Sequence, residues 1–200
     1  MANPEIVKKA IAEGARELMR QQTVDEISVT EICEKVGLSR RNFYRYFQDK
    51  FEVVQWIYYH DSLMEVKHYA DWTIWDHFPH ITETLYSDRA FYRNAFKFKG
   101  QNSFRDYCIV YLKEFIAPDY REAFPDEAAL DFFIDHVCNM TFDAFVIWLS
   151  AEPCMSPEAF ADRFTTAFLK TAQVSAELLT RAPGKTSVPV AFDPEEPSKK

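Results

Sequence analysis

The sequence has only 4 glycines in 200 residues, and its long segments without glycine or proline favour helices over a turn-rich β fold. No apolar run approaches the ~18 residues that a membrane span needs. Residues 1–17 contain no apolar h-region, so we expect no signal peptide. The prediction is a cytoplasmic protein with no membrane partner.

Residues for catalysis and metal binding are also sparse. The 4 cysteines are scattered and form no C-x-x-C pair, which is typical of reduced thiols and not of a disulfide framework or a zinc site. Histidines such as His77 and His80 offer pairs of donors, whereas a metal needs three or four that converge. No nucleophile–base pair or phosphate loop stands out. We expect no enzyme activity, no metal and no cofactor.

Positive charge is scarce overall, since the net charge is −8, and this alone argues against nucleic acid. The distribution of charge matters more. Residues 1–50 contain 9 Lys+Arg and 8 Asp+Glu, whereas the remaining 150 contain 14 and 23. Four cations of the first segment fall within 11 residues: Arg40, Arg41, Arg45 and Lys50. A near-neutral segment with a local basic patch therefore precedes a large acidic one.

The N-terminal segment predicts short capped helices. Apolar residues at 3.6-residue spacing predict a helix over 5–20. The pair Ser28 and Glu31 forms a capping box that begins a second helix, and Gly37 supplies the positive φ that ends it. Ser39 then caps a third helix, predicted over 40–46.

Asp49 caps a predicted fourth helix that runs long, to about residue 72. Short helices follow in 76–86, after Ser87, and from 101 until Pro118, and long helices are predicted over 126–151 and 156–181. The tail, 182–200, holds four prolines without any period, and we predict disorder there. No β pattern is present, so the fold class is all-α.

The spacing of the second and third helices fits a helix-turn-helix, and it fits equally a helical hairpin with no DNA role. The side chains of the third helix favour a DNA-binding role. Its apolar side can enter the core of the first two helices through Phe43 and Phe47. Positions 40, 43, 44 and 47 share this inner side, and the outer side presents Arg41, Asn42 and Arg45, with Arg40 at the exposed N-terminal end. No acid lies at helical spacing to pair with these arginines. Arg and Asn read guanine and adenine edges in the major groove, and tyrosine hydroxyls can donate to phosphates.

Residues 28–50, SVTEICEKVGLSRRNFYRYFQDK, resemble the N-terminal DNA-binding domain of TetR-family transcriptional regulators. The resemblance covers about residues 5–53 and includes the Gly-Leu-Ser turn and the Phe-Tyr-x-Tyr-Phe of helix three. It implies an all-α homodimer on a double-stranded DNA operator. The implied base contacts are Arg40, Arg41 and Asn42, and the implied phosphate contacts are Thr30, Ser39, Tyr44, Arg45, Tyr46 and Lys50. Positions 41 and 42 are most often small in the family, so Arg-Asn here implies more contact with guanine.

The same resemblance implies a three-helix head over 1–50 and a helical ligand-binding and dimerisation domain over 51–181. Residues 51–61 and 91–107 are similar to the branch of the family that contains the dihydroxyacetone-kinase operon regulators. The effector, a small molecule or a protein, is unknown. Aromatic residues either line its pocket or simply form packed core; the candidates are Trp56, Tyr59, Trp72, Phe96, Phe104, Tyr107 and Tyr111.

The two long C-terminal helices carry broad apolar stripes. These stripes either meet a second copy as a four-helix bundle, as the resemblance implies, or pack inside the monomer. The candidate interface residues are Phe133, Val137, Met140, Ala144, Phe164 and Phe168. We predict a DNA-binding transcriptional regulator that responds to an effector. The alternative is a protein-interaction module on the same scaffold that has lost its affinity for DNA.

Overall fold

The computed structural model describes residues 3–63, 72–98, 100, 103–124 and 126–180. All regular structure within these ranges is helical, which confirms the all-α prediction. The predicted disordered tail, 182–200, lies outside the described residues.

The first two helices form the base of the head: α1 (Pro4–Met19) and α2 (Val29–Val36). The predicted capping box is present, because the Ser28 side chain accepts from the backbone of Glu31 and the Glu31 side chain accepts from the backbone of Ser28. Gly37 ends α2 in the left-handed conformation with φ of 66°, also as predicted. The two helices pack closely where Gly14 faces Val36, since an added Cβ at Gly14 would lie 2.5 Å from Cγ1 of Val36.

The third helix, α3, covers Arg40–Phe43 and is shorter than the predicted 40–46. Tyr44 has ψ of −2°, which takes the backbone out of α-helical geometry. Turn-like hydrogen bonds continue beyond it, including one from the Tyr46 N–H to the Phe43 carbonyl at 2.9 Å. The residues after Phe43 therefore stay wound, as a tighter turn.

The fourth helix, α4 (Lys50–Tyr58), begins at Asp49, whose carboxylate accepts from the Glu52 N–H at 2.8 Å. The predicted single long helix is interrupted, because a π-helical turn covers Tyr59–Leu63. Such turns carry one extra residue and are often found at functional sites. The rest of the predicted helix, 64–71, lies outside the described residues.

The body continues with α5 (Ile74–Ser87), α6 (Arg89–Ala95), α7 (Phe104–Tyr120) and α8 (Glu127–Ser150). The segment around Pro79 forms a single helix, one of the two predicted outcomes. The prediction that α7 ends at Pro118 is wrong, since the helix runs on to Tyr120 although the proline lacks a backbone N–H donor.

The predicted cap of α6 is wrong. The hydroxyl of Ser87 donates to the Thr84 carbonyl at 2.8 Å, and Asp88 occupies the N-cap position without a capping hydrogen bond from its side chain. The Asp88 carboxylate is instead held by arginines of α1, Arg16 and Arg20. A strong tertiary ion pair has replaced the local cap.

Stacked aromatic rings form much of the body core. Trp148 of α8 stacks on Phe160 with ring centroids 4.2 Å apart, and Phe78 of α5 stacks on Phe145 at 5.6 Å. Within the described residues, α8 is also the one helix long and apolar enough, by composition, to cross a membrane, and 44% of its most apolar window is buried inside the chain. Core helices of soluble proteins have the same composition, so this is weak evidence for a span.

The described residues up to Ala161 form one compact unit, and those from Asp162 form a second. The head and α4–α8 therefore belong to the same unit. The second unit contains most of α9 (Pro157–Leu179), a helix that exposes Leu169, Val174 and Leu179. The predicted boundaries after residues 50 and 181 remain predictions.

Candidate nucleic-acid interface

The inner side of α3 fixes the helix in the head. Phe43 and Phe47 are fully buried, as predicted, and their rings lie 6.0 Å apart. They join Met19 of α1 and Ile32 of α2 in the same small core. Burial of two phenylalanines on a segment this short leaves the opposite side turned to solvent.

The outer side is basic and aromatic. Arg40, Arg41 and Arg45 are all exposed, as predicted. Tyr44 is 50% exposed and shares this surface, whereas Asn42 is half-buried. The predicted grouping, with Tyr44 on the inner side and Asn42 outside, is wrong, because the centre of the exposed arc falls between positions 41 and 44. Asn42 lies at its flank.

No carboxylate pairs with these three arginines among the residues that the structure describes. Arg40 is the nearest to having an internal partner: its Nη2 lies 3.5 Å from the Tyr44 hydroxyl and its Cζ 6.0 Å from the Tyr44 ring. Six of the seven other arginines that the structure describes are paired with acids, and Arg163 of α9 is the exception; the six are Arg16, Arg20, Arg89, Arg93, Arg105 and Arg121. The outer side of α3 is thus a local concentration of uncompensated positive charge.

Hydroxyl groups surround this basic surface. Ser39 caps α3 by accepting from the Asn42 N–H at 3.3 Å, which leaves its own hydroxyl hydrogen free to be donated. Thr30 is exposed on the first turn of α2, and Tyr46 is half-buried beside Phe47. These are the groups that contact phosphates in protein–DNA complexes.

Lys50 has a partly internal role that the sequence did not reveal. Its ammonium donates to the carbonyls of Asp25 at 3.0 Å and Ile27 at 2.6 Å, and so ties the start of α4 to the loop before α2. Burial lowers the pKa of Lys50 from its usual value. One of its three N–H groups remains for a phosphate. A long-range contact to backbone carbonyls leaves no sequence pattern by which to predict it.

The predicted pocket residues fall into two groups. Phe96 and Phe104 are buried and stacked at 5.5 Å, and Tyr107 continues the row to Tyr111 at 4.7 Å. Tyr58, which was not predicted, is buried against Phe104 at 5.3 Å, and burial raises its pKa well above the usual value.

The remaining three predicted pocket residues lie on other elements and have contacts of their own. Trp56 stacks on His60 at 3.7 Å and meets Phe47 of the head edge-on at 6.2 Å. Trp72 lies between the rings of His77 and His80, each at 5.1 Å. Tyr59 belongs to the π-helical turn. Tyr59 lies close enough to Tyr107 for the two side chains to interact electrostatically, so it borders the row from Phe96 to Tyr111.

The predicted interface residues are also divided. On α8, Met140 is 47% exposed, while Phe133 packs against Tyr120 and Phe124 of its own chain. Two larger exposed side chains of α8 were missed: Phe132 at 67% and Ile147 at 72%. Val137 and Ala144 are half-buried on α8, and Phe164 and Phe168 lie on α9 in the second unit.

The polar side chains of the described ranges include no group of three or more His, Cys, Asp or Glu placed to hold a metal. The four thiols are free, and Cys33, Cys108 and Cys138 are buried. Burial raises the pKa of Cys138 to about 12, so this thiol stays protonated at neutral pH.

Two family models match this chain. "Bacterial regulatory proteins, tetR family" matches residues 11–55, and "Transcriptional regulator C-terminal region" matches residues 73–170. The first covers α2, α3 and most of α1 and α4, and therefore the whole basic surface. The second covers the body from just before α5 into α9.

Curated relatives are similar over part of their length. The HTH-type dhaKLM operon transcriptional activator DhaS of Lactococcus lactis subsp. lactis (strain IL1403) is 31% identical over 70 residues, which are 35% of this chain and 37% of that protein. The uncharacterized HTH-type transcriptional regulator YxbF of Bacillus subtilis (strain 168) is 22% identical over 174 residues, covering 80% of this chain and 44% of that protein. The chain thus spans less than half the length of these relatives.

Solved structures share the fold. The dihydroxyacetone kinase operon activator DhaS superposes with a TM-score of 0.58 at 18% identity, covering 84% of this chain and 97% of that one. A TetR transcriptional regulator from Streptococcus agalactiae 2603V superposes with a TM-score of 0.59 at 17% identity, covering 82% and 94%. At these identities the likeness establishes the fold alone.

Proposed function

Because the chain belongs to the TetR family of DNA-binding transcriptional regulators, we propose that it binds a partly palindromic operator as a homodimer. The observation that carries the proposal is the outer side of α3, where Arg40, Arg41 and Arg45 are exposed without a carboxylate partner in the described chain. Unpaired guanidiniums that repel one another become favourable beside phosphates.

The contacts divide into two kinds. Base edges are read by side chains at the start of α3: Arg40, Arg41 and Asn42. Phosphates are held by the groups around them: Thr30, Ser39, Tyr44, Arg45, Tyr46 and the remaining N–H of Lys50. Since Arg prefers the O6 and N7 atoms of guanine, the operator half-site should contain guanine opposite Arg41.

Selection from random DNA tests this proposal. The wild-type chain should enrich a sequence with two related half-sites, and substitution of Arg40, Arg41 and Arg45 by alanine together should abolish the enrichment. The control is Arg121→Ala, which removes an exposed guanidinium that pairs with Glu127 on the body. If the wild type enriched no sequence, the chain would be a protein-interaction module that has lost DNA affinity.

The second copy is proposed to pack on α8. Phe132, Met140 and Ile147 lie within one 80° arc of an ideal helix and are exposed together, which is unusual for a soluble chain unless another molecule covers them. The predicted contacts through Phe164 and Phe168, which belong to the second unit, stay a prediction. The matching surfaces of two identical chains give the two-fold symmetry that a palindrome requires.

Sedimentation tests the dimer. Ile147→Glu places a charge in the proposed interface and should yield a monomer. Val110→Glu is the matched control, because Val110 of α7 is also exposed, at 55%, but lies off this arc. If Ile147→Glu stayed dimeric at micromolar concentration, α8 would not be the interface.

The effector is proposed to act on the body, where the aromatic row from Phe96 to Tyr111 packs against Tyr58 of α4. Because α4 begins in the head and its π-helical turn contacts the body, a ligand that shifts this packing changes the head. Coupling of this kind is reciprocal, so operator DNA should change effector affinity by the same factor.

A further inference from the structure

We infer that Arg16 is the positioning residue that sets the angle of the head on the body, and thereby the spacing of half-sites that the dimer accepts. Arg16 lies on α1, and its ion pairs join it to Asp61, Asp88 and Glu13, none of which is a proposed DNA contact. The inference rests on the proposed function, because head spacing has meaning only for a dimer on two half-sites.

One guanidinium connects three elements. Nη2 of Arg16 donates to both carboxylate oxygens of Asp61 at 2.9 Å, and Nη1 donates to Asp88 at 3.1 Å. Asp61 belongs to the π-helical turn of α4, and Asp88 lies between α5 and α6. The Arg16 side chain is only 15% exposed. The head helix is therefore fixed at once to the turn that leaves the head and to the body.

Further donors hold both carboxylates in place. The Tyr92 hydroxyl donates to Asp61 at 2.7 Å, and Arg20 donates to both oxygens of Asp88 at 3.0 Å. The Phe91 ring lies under the Arg16 guanidinium, 5.2 Å from its carbon. The two amino groups of the planar Arg16 guanidinium are held by two different carboxylates, so these contacts restrict its direction as well as its distance.

The π-helical turn makes this contact sensitive to the body. One inserted residue changes the direction of the following side chains by about 100° relative to a regular α-helix. Asp61 faces Arg16 only while Tyr59–Leu63 keeps its extra residue. Any ligand that converts this turn to a regular helix breaks the contact between Asp61 and Arg16. The orientation of the head relative to the body is then no longer fixed.

Two contacts keep α1 docked without Arg16: the pair of Arg20 with Asp88, and a neutral hydrogen bond. The buried side chain of Asn94 on α6 donates to the Met19 carbonyl at 2.7 Å. Loss of the guanidinium should therefore loosen the orientation of the head and leave its attachment intact. This separates a positioning role from a purely structural one.

The test uses the operator that the wild-type chain selects from random DNA, with the distance between half-sites changed by one or two base pairs either way. Each base pair rotates and shifts one half-site relative to the other, so a rigid dimer should lose about tenfold in affinity or more at the largest changes. Arg16→Gln should bind the best spacing about tenfold more weakly and vary less than about threefold across the series. Asp61→Asn should give the same flat profile.

Lys35→Gln is the matched control, because it also removes one cation of the head but breaks an exposed pair with Glu17, 2.7 Å away, that does not reach the body. It should keep the wild-type spacing profile. A destabilised but rigid variant would lower affinity equally at every spacing. If both Arg16→Gln and Asp61→Asn kept the wild-type profile, the positioning role would be refuted.

Hydrogen exchange of the free full-length protein separates this inference from the proposed function. In Arg16→Gln, amides next to the lost contact, in the π-helical turn and at the start of α6, should exchange about tenfold faster, while those of α3 and α8 stay unchanged. Equal rates in the variant and the wild type would overturn the coupling. If the wild type selected no DNA, the proposed function would fail alone, and the exchange rates would still decide whether Arg16 couples head and body.

Discussion

Two groups of arginines in the head differ in almost every respect. Arg16 and Arg20 on α1 meet carboxylates at 2.9–3.1 Å and tie the head to the body. Arg41 and Arg45, on and just after α3, are exposed and have no carboxylate partner among the described residues. A guanidinium already bound by carboxylates has few free donors for a phosphate, so we propose that the unpaired group faces the DNA.

The difference is set by where the acids lie. The partners of Arg16 come from 45 and 72 residues further along the chain, brought in by the fold of the body. Near α3 the closest acid after it, Asp49, has a carboxylate oxygen engaged in capping α4. Acids outside the head therefore neutralise Arg16, whereas the arginines of α3 have no carboxylate partner among the described residues.

The largest expected effect concerns the buried side of α3. Burial of this side turns the arginines of α3 toward solvent. Phe43→Ala should lower the free energy of unfolding by about 3–5 kcal/mol, because it opens a cavity beneath a short helix that has few other contacts. Urea unfolding measures this change. Tyr44→Ala is the control, since that adjacent ring is 50% exposed and its loss should change stability far less. Equal losses of stability in the two variants would show that Phe43 is not the buried side chain of α3.

The next prediction concerns the unpaired group itself. Arg41→Ala should weaken operator binding by about 1–3 kcal/mol and relax the preference at one base position, because a bidentate contact to guanine is lost. Fluorescence anisotropy with operator and random duplexes measures both effects. An equal loss on the two duplexes would show that Arg41 contacts only phosphates and reads no base.

Lys50 stands between the two groups, since its ammonium is partly engaged inside the head. Lys50→Met should lower the free energy of unfolding by about 1–2 kcal/mol, because the carbonyls of Asp25 and Ile27 lose a charged donor. Urea unfolding again provides the measurement. Lys35→Met, in an exposed ion pair, should change stability by less than about 1 kcal/mol. If the Lys50 variant were as stable as the wild type, the internal hydrogen bonds of Lys50 would contribute nothing to stability, and DNA contact would be its remaining proposed role.

Local chemistry explains which features the sequence predicted. The capping box at Ser28, the left-handed Gly37 and the buried pair Phe43 and Phe47 depend on residues within a few positions of each other. Their hydrogen bonds and burial follow from helix geometry alone. The early end of α3 also has a local cause, the ψ of Tyr44, but no residue type in this segment predicts that ψ.

Tertiary contacts account for what the sequence did not predict. Ser87 carries a good capping side chain, yet the chain places Asp88 at the cap because Arg16 and Arg20 bind its carboxylate. The π-helical turn at Asp61 belongs to the same network. No periodicity or spacing links residues so far apart in the chain, so neither feature could be found without coordinates.

The smallest expected effect is on the salt dependence of DNA affinity, which should differ between the two groups of arginines. If Arg45 neutralises one phosphate, Arg45→Gln should reduce the slope of log affinity against log salt concentration by about 0.9. Arg20→Gln removes a cation of the same head, but one already paired with Asp88, and should leave the slope unchanged. Titrations between about 50 and 200 mM salt measure both slopes. Equal reductions in the two variants would mean that the head acts as a diffuse positive charge, and that pairing with carboxylates does not decide which guanidiniums meet DNA.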